Sequence, residues 1–354
     1  MIDRVSAFLE EAIDRQVFPG CTVGIIAGDR QWYGAFGRCT YETDSMPVSE
    51  QTVYDVASIT KSIPVASLAL RLIEDGRLKL DGRLIDTLPE FVGGYRESIA
   101  IRHLLTHTLD FGFQLSSLKD LRGDAILEKI LSAPLRGEPG AVFSYANASS
   151  ILLGLVVERI TGLSLDEAAD LYFFKPLGMQ YTTFHPERLS GTQVAPTEDD
   201  PWRGRIIRAE VHDESAWALR PRIVGSAGLF STAPDLIKFA AMLLNGGMVE
   251  GMRFFLPETV AAMHADALAE QGIGRAGLGW ELSQPSFMGK QCGNVTFGKT
   301  GFTGCSVVID PPRDAAMVLL SNHTYPQRWK DRLLINEVRG GLADIIFKLI
   351  DAVR

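Results

Sequence analysis

The order of the strand-forming segments limits the folds open to this chain more than any other feature. Residues 21–27 and 31–36 are rich in β-formers and are joined by a Gly-Asp-Arg turn, which is typical of a hairpin. Three further strands are predicted far along the chain, over residues 295–300, 303–309 and 315–321. Because strands from both ends of the chain can share one sheet, we predict a single antiparallel five-stranded sheet with the middle of the chain folded outside it.

Helical patterns account for most of the remaining sequence. Apolar residues recur at helical spacing over residues 2–13 and again over 328–353, so both ends are predicted to form amphipathic helices that pack side by side. The middle of the chain has short helical patterns separated by glycine, proline and aspartate turns. We therefore predict an α+β fold, with a sheet domain over 1–77 and 219–354 and an inserted all-helical domain over 78–218.

Composition excludes several classes of partner. The chain has 354 residues, 46% of them hydrophobic and 22% charged, which is the balance of an ordinary globular enzyme. Its formal net charge of −8, without a basic cluster, argues against nucleic acid as a partner. No stretch approaches the roughly 20 apolar residues of a membrane helix, and no signal peptide is recognisable. We expect a cytoplasmic location for the chain as given, or a periplasmic or extracellular one if a leader has been removed.

A serine and a lysine lie three residues apart near the start of a predicted helix over residues 60–74. Ser58 and Lys61 would share one helix face, so the amine could take the proton of the hydroxyl if its pKa were lowered by burial or by nearby cations. A Ser-x-x-Lys spacing also fits an ordinary helix cap followed by a surface lysine. The pair becomes informative only together with other motifs.

A tyrosine and an asparagine just before another predicted helix supply two further groups. The phenol of Tyr145 could shuttle a proton if Lys61 stabilised its ionised form, and the amide of Asn147 could hold a substrate amide. Taken alone, the two residues also fit a packed tyrosine followed by an N-cap asparagine.

The third motif lies on a predicted late strand. An ammonium at Lys299 and a hydroxyl at Thr300, beside Gly301, would suit a substrate carboxylate lying along the strand edge. The backbone N–H of Phe302 could join that of Ser58 in an oxyanion hole for the tetrahedral intermediate. A basic strand end with a glycine bulge is the simpler alternative.

In this order and separation, the three motifs resemble those of the serine β-lactamase and penicillin-binding protein superfamily. The resemblance covers nearly the whole chain, includes segments 101–108, 175–179 and 228–232, and is closest to the class C-like branch, which contains family VIII carboxylesterases and D-amino-acid peptidases. It implies a β-lactamase/transpeptidase-like fold with the active-site cleft between the sheet and the helical domain. The roles it implies are a Ser58 nucleophile, a Lys61 and Tyr145 proton relay, an Asn147 amide ligand, and a carboxylate clamp of Lys299, Thr300 and Gly301.

The resemblance leaves the substrate open between β-lactams, D-amino-acid amides and carboxylic esters. A fixed cation at Lys299 favours a substrate with a carboxylate, whereas the absence of an export signal favours simple esters. Asp110 and the run of residues 220–222 depart from the branch's pattern, and both are expected to border the cleft. The expected partner is a small molecule, and a catalytically silent sensing domain on the same fold is the non-enzyme alternative.

No cofactor or metal is expected. His103 and His107 have a spacing that can bind zinc, but neither a third ligand nor the glutamate of a zinc-protease motif accompanies them. The run from His212 to Glu214 is predicted to be a solvated loop. A Gly-x-Ser-x-Gly nucleophile elbow is absent from the sequence, which excludes the usual α/β-hydrolase arrangement.

Overall fold

A computed structural model describes residues 2–121, 123–328 and 333–352 of the chain. In chain order, the strands of these residues are β1 (Gly20–Ala27), β2 (Arg30–Gly37), β3 (Tyr54–Asp55), β4 (Glu198–Asp200), β5 (Arg205–Ile207), β6 (Phe230–Ser231), β7 (Met248–Val249), β8 (Met252–Arg253), β9 (Ala276–Gly277), β10 (Trp280–Leu282), β11 (Phe297–Thr300), β12 (Ser306–Asp310) and β13 (Ala315–Ser321).

The main sheet contains seven strands in the order β2-β1-β13-β12-β11-β10-β9, and every neighbouring pair is antiparallel. The five predicted strands are the first five of this order, which confirms the antiparallel sheet built from both ends of the chain. The sheet has two strands more than predicted. Because β9 and β10 are two and three residues long, they are too short for an alternating pattern to be recognised.

The α-helices of the described residues are, in chain order, α1 (Ile2–Asp14), α2 (Ser67–Glu74), α3 (Leu84–Thr87), α4 (Ile101–Leu105), α5 (Gly123–Leu131), α6 (Asn147–Thr161), α7 (Leu165–Ala169), α8 (Glu214–Ala218), α9 (Ala233–Leu244), α10 (Pro257–His264), α11 (Pro285–Met288) and α12 (Leu333–Asp351). Most of the predicted terminal helix over 328–353 is α12, while residues 329–332 and 353 lie outside the described residues. The predicted α+β class is confirmed.

Both faces of the sheet are covered by helices. Along β13, Ala316, Val318 and Leu320 belong to the core on the α9 side, whereas Met317 and Leu319 belong to the core formed with α1 and α12. All seven residues of β13 are buried for this reason. A strand with two covered faces has a continuous apolar run rather than an alternating one, as the sequence of β13 does.

The segment between the two groups of sheet strands is mainly helical. Residues 78–218 contain α3 to α8 and share one apolar core with the sheet and α9, but they also contain the β4–β5 hairpin, which was not predicted. The proposed domain boundaries remain a prediction.

Within the described residues, no single helix is long and apolar enough to span a membrane. Two consecutive helical segments, Asn147–Thr161 and Leu165–Phe174, reach that length and apolar composition only when taken together, and they are bent by 75° relative to each other.

Candidate active site

The segment that carries Ser58 leaves strand β3 through a constrained turn. Ala57 has a φ of 46°, a left-handed conformation that is uncommon for a residue with a side chain. The carboxylate of Asp55 holds this turn, because its Oδ1 accepts a hydrogen bond of 2.8 Å from the Ala57 N–H. Thr60 donates from its hydroxyl to the Ala57 carbonyl at 2.6 Å. The position of Ser58 is therefore fixed by its neighbours on both sides.

The predicted helix over 60–74 begins later than expected. Residues Ala57–Lys61 form a 3₁₀ helix, and the α-helix begins only at Ser67. Pro64 explains the delay, because a proline disfavours the helical conformation of the residue before it, and Ile63 is extended with φ −116° and ψ 108°. In a 3₁₀ helix, side chains three positions apart are eclipsed. Lys61 Nζ accordingly lies 2.8 Å from Ser58 Oγ.

Lys61 has an environment that favours its neutral form. Its side chain is buried, and its Nζ donates a hydrogen bond of 2.6 Å to the carbonyl oxygen of Ser226. Burial is the main cause of the lowered pKa of Lys61; the charge of Tyr145 opposes it, the ammonium of Lys299 acts in the same direction as burial, and Asp213 has a smaller opposing effect. A lysine with a lowered pKa next to a serine hydroxyl can accept its proton.

Tyr145 lies close to both lysines and lines the same cavity as Ser58. The centre of its ring is 5.2 Å from Lys61 Nζ and 4.5 Å from Lys299 Nζ. Desolvation of the phenol raises its pKa, but the charges of Lys299 and Lys61 outweigh this effect, with a smaller contribution from the Ser58 hydroxyl. The net result is a lowered pKa for Tyr145. The predicted relay residues are thus brought together, and their roles remain predictions.

Lys299 does not present a free cation to the cavity. Its side chain is 2% exposed, and its Nζ lies 2.6 Å from Oε1 of Glu281 on the neighbouring strand. Burial opposes the charged form, but Glu281 and Tyr145 raise the pKa of Lys299 above its usual value. The ammonium therefore remains charged and is already paired with a carboxylate. Its charge acts on Tyr145 rather than on open solvent.

Asn147 is held by a residue for which no role was predicted. Its Nδ2 donates to Oδ2 of Asp213 at 3.2 Å, and Oδ1 of Asp213 accepts from the Ala216 N–H and so caps α8. The prediction that residues 212–214 form a solvated loop is wrong, since His212 is almost completely buried. The side-chain Oδ1 of Asn147 has no hydrogen-bond partner among the described residues, and Asn147 lines the same cavity as Ser58.

The end of β11 approaches the Ser58 segment closely. A Cβ atom at Gly301 would collide with the carbonyl oxygen of Val56, so only glycine permits this approach. The hydroxyl of Thr303 donates to the Asp55 carbonyl at 2.7 Å and fastens the two segments together. Ser58 and Phe302, the two predicted oxyanion-hole residues, thereby line one cavity of about 980 Å³, as does Thr300.

The remaining cavity wall comes from the helical segment, so the cavity lies between that segment and the sheet edge. Asp110 lines it as expected, together with Phe113 and Phe143. The expectation for residues 220–222 is wrong, because they line a separate depression of about 780 Å³ with Glu158 and His185. The arginines that line the active-site cavity are instead Arg136, Arg275 and Arg328.

The two histidines considered for zinc have other contacts. Nδ1 of His103 accepts a hydrogen bond from the Ala100 N–H at 3.0 Å. The ring of His107 packs on Tyr145 with ring centres 4.7 Å apart, and burial together with both lysines holds its pKa well below the usual range. Among the residues that the structure describes, no group of three or more His, Cys, Asp or Glu side chains could hold a metal ion.

Sequence reasoning missed Glu281, Asp213 and the contact of His107 with Tyr145. The Trp-Glu-Leu run of β10 does place a charged residue between two buried apolar ones, an alternation that could have indicated a short strand. Asp213 precedes Glu214 at a helix start, which is a recognisable N-cap pattern. No local signal connects His107 to Tyr145, because that contact depends on how two loops pack.

The charges around Tyr145 predict two opposite shifts in the pH dependence of kcat/KM. Activity requires an unprotonated base. The fall of kcat/KM at low pH, the acidic limb of the profile, therefore follows the pKa of the relay formed by Lys61 and Tyr145. Lys299→Gln removes a cation that lowers the pKa of Tyr145 and of Lys61, and it should move the limb to higher pH. Glu281→Gln removes an anion that raises the pKa of Tyr145 and should move the limb to lower pH. Titration of kcat/KM for each variant measures both shifts.

Arg275→Gln is the control for these variants. It removes a cation from the lining of the same cavity, but its guanidinium contacts Asp266 and Asn294 rather than Tyr145. The limb should stay at its original pH in this variant. Shifts of the same sign in Lys299→Gln and Glu281→Gln would contradict the assignment of the relay.

Known proteins with similar sequences identify the family of this chain. The family model described as Beta-lactamase matches residues 5–339. A predicted D-alanyl-D-alanine carboxypeptidase of Escherichia coli is 30% identical over 302 residues, covering 77% of this chain and 69% of its own. Its counterpart from another Escherichia coli strain is 29% identical over 363 residues, covering 91% and 82%.

Solved structures show the same fold at lower identity. EstCE1, a hydrolase with promiscuous acyltransferase activity, is 23% identical with a TM-score of 0.76, over 98% of each chain. Simvastatin synthase from Aspergillus terreus is 21% identical with a TM-score of 0.76, also over 98% of each chain. The family model and the relatives define a serine hydrolase with a β-lactamase-like fold. The chain belongs to the Beta-lactamase family.

Proposed function

We propose that this hydrolase cleaves carboxylic esters that carry no carboxylate beside the scissile bond, through an acyl-enzyme on Ser58. β-Lactams should be poor substrates. The observation that carries the proposal is the 2.6 Å contact between Lys299 and Glu281. A cation meant to receive a substrate carboxylate is expected to be free of a competing anion, and this one is not.

In the proposed mechanism, the relay removes the Ser58 proton as the oxygen attacks the ester carbonyl. Lys61 lies 2.8 Å from that oxygen, and the lowered pKa values of Lys61 and Tyr145 fit either group for the proton transfer. The backbone N–H groups of Ser58 and Phe302 stabilise the tetrahedral oxygen. The alcohol leaves with the proton, and water then attacks the acyl-enzyme by the same route.

The pairing of Lys299 weighs against the amide substrates. A carboxylate that approached Lys299 would also approach Glu281, whose side chain is 27% exposed and lines the cavity. The substrate carboxylate and Glu281 would repel each other at such a short distance. In protein interfaces, juxtaposed like charges cost several kcal/mol of binding free energy. A neutral ester does not meet this repulsion. Lys299 then serves to lower the pKa of Tyr145 instead of binding substrate.

The relatives' name supports a second candidate, D-alanyl-D-alanine carboxypeptidase activity. Such a substrate ends in a free carboxylate and needs a cation near the scissile bond. Among the cations that line the cavity, Arg328 is paired with Glu198 and Glu214, and Arg275 with Asp266. Arg136 has no acidic partner within 4 Å in the described part of the chain, but it is bonded to the Gly112 carbonyl.

A substrate panel tests the proposal. We expect kcat/KM for p-nitrophenyl butyrate to exceed that for nitrocefin and for a D-alanyl-D-alanine peptide by at least about 100-fold, which corresponds to ~2.7 kcal/mol of differential transition-state binding. Nitrocefin and the peptide both carry a carboxylate. Preferential turnover of either by the wild-type enzyme would contradict the proposal.

Glu281→Gln makes the test specific for the charge pair. The change frees Lys299, so we expect kcat/KM for nitrocefin relative to the ester to rise by at least about 10-fold, the equivalent of ~1.4 kcal/mol. Asp110→Asn is the matched control, because Asp110 lines the same cavity but bonds to the Gly112 N–H. An equal rise in the control would show a general charge effect instead.

A further inference from the structure

The ring of Phe302 has two polar neighbours beside the predicted oxyanion hole. It stacks on the imidazole of His212, with ring centres 5.5 Å apart and planes inclined by 19°. The guanidinium carbon of Arg328 lies 5.7 Å from the centre of the same ring. All three residues line the active-site cavity. The side chain next to a predicted catalytic N–H is therefore held by specific contacts rather than by general packing.

A buried glutamate connects the two neighbours of Phe302. Oε2 of Glu198 lies 2.8 Å from Nε2 of His212 and 2.6 Å from Nη2 of Arg328. Burial opposes ionisation, but hydrogen bonds from His212 and Arg328 lower the pKa of Glu198 to about 2. An ionised carboxylate only accepts hydrogen bonds, so Nε2 of His212 carries a hydrogen and donates it. This bond fixes the plane of the imidazole.

The same unit is joined to the Ser58 segment. Oδ2 of Asp55 accepts a hydrogen bond of 2.7 Å from the backbone N–H of His212, while its Oδ1 accepts from the Ala57 N–H. The carbonyl of Asp55 accepts from the Thr303 hydroxyl. Asp55 thus ties together the backbone before Ser58, the side chain of Thr303 just after Phe302 and the backbone of His212.

We propose that His212, oriented by Glu198, is a positioning residue that fixes the backbone N–H of Phe302 in the oxyanion hole by stacking on the Phe302 ring. The inference rests on the acyl-enzyme mechanism proposed above, but it holds for an ester and for an amide alike, because both pass through a tetrahedral oxyanion. Losing one oxyanion donor costs about 10²–10³ in kcat, so a displaced donor should cost a large part of that.

Two substitutions separate the ring of His212 from its hydrogen bond. His212→Gln can still donate to Glu198 but has no ring to stack on Phe302. His212→Phe retains a flat ring but cannot donate to Glu198, which is then left with Arg328. If stacking positions Phe302, we expect kcat to fall about 10- to 100-fold in His212→Gln, with KM within about three-fold, and to fall less than about three-fold in His212→Phe. The melting temperature should be lower for His212→Phe, so the less stable variant should be the more active one.

The primary assay is the rate constant for labelling of Ser58 by a fluorophosphonate, because this reaction uses the same oxyanion donors and does not depend on ester preference. Phe302→Ala should slow labelling as His212→Gln does, and the double variant should be scarcely slower than either single one, since both changes release the same N–H. This coupling remains measurable if His212→Phe does not fold.

Several results would overturn the inference. They are wild-type labelling rates in folded His212→Gln, effects of His212→Gln and Phe302→Ala that simply multiply, or no labelling of wild-type Ser58. A wild-type enzyme that is labelled rapidly but prefers nitrocefin to esters would overturn the proposed function alone.

Discussion

Ser58→Ala is expected to lower kcat for every hydrolysed substrate by at least about 10⁴-fold, the scale of removing a serine nucleophile from a hydrolase. The structure gives the physical reason, because Ser58 lines a cavity of about 980 Å³ and Lys61 Nζ lies 2.8 Å from its hydroxyl. Alanine has no atom that can form the acyl bond. Steady-state turnover of p-nitrophenyl butyrate measures the loss, with wild-type contamination excluded by mass spectrometry.

Ser62→Ala provides the matched control for this prediction. Ser62 lies on the same segment and is also buried, but its hydroxyl donates to the Gly279 carbonyl at 2.6 Å and does not line the cavity. The control should lose stability rather than catalysis, with kcat within about five-fold of the wild type. Residual activity above about 1% in Ser58→Ala would show that another group is the nucleophile.

The second large effect is expected at the proton relay. Lys61→Ala and Tyr145→Phe should each lower kcat by at least about 100-fold, the scale of lost general-base assistance. Tyr145→Phe removes one oxygen but keeps the ring, which still packs on His107, so its loss should not come from misfolding. Burst kinetics with p-nitrophenyl butyrate should place the loss in the acylation step. Rates within three-fold of the wild type in either variant would show that the relay is misassigned.

The main sheet could be predicted because its longer strands carry their own signal. Each of the five predicted strands has between four and eight residues, three of them (β1, β12 and β13) are mostly apolar, and the turns between strands that follow one another contain glycine, proline or aspartate. Strands β9 and β10 have no such length, and they form because Gly277 and Gly279 allow the chain to lie against neighbours too close for a side chain. That closeness is a tertiary property which no local pattern contains.

The order of the motifs implied that the site residues lie close together. It did not predict which other residues would contact them. Glu281 meets Lys299 because β10 pairs with β11 in a register that puts Glu281 opposite Gly298, and register is set by the packing of the whole sheet. The interpretation of Lys299 changed for this reason from a carboxylate clamp to a cation that lowers the pKa of Tyr145. The proposed preference for neutral esters, among the substrate classes that the sequence left open, rests on this single strand pairing.

The start of the catalytic segment shows a different limit. Helical periodicity predicted a helix over residues 60–74, yet Pro64 delays the regular α-helix until Ser67. The motif spacing survives because three residues also complete one turn of a 3₁₀ helix, which brings Ser58 and Lys61 into closer register than an α-helix would. The spacing therefore predicted the contact between Ser58 and Lys61 correctly, but on the assumption of an α-helix, whereas the structure forms it in a 3₁₀ helix.

The most direct test of the central claim is the mass of the enzyme during turnover. Acid quenching within the burst of p-nitrophenyl butyrate hydrolysis should trap one butyryl group per chain, and peptide mapping should place it on Ser58. Ser58→Ala should carry none under the same conditions. A butyryl group on another residue, or rapid turnover without any covalent adduct at early times and at low temperature, would contradict the account.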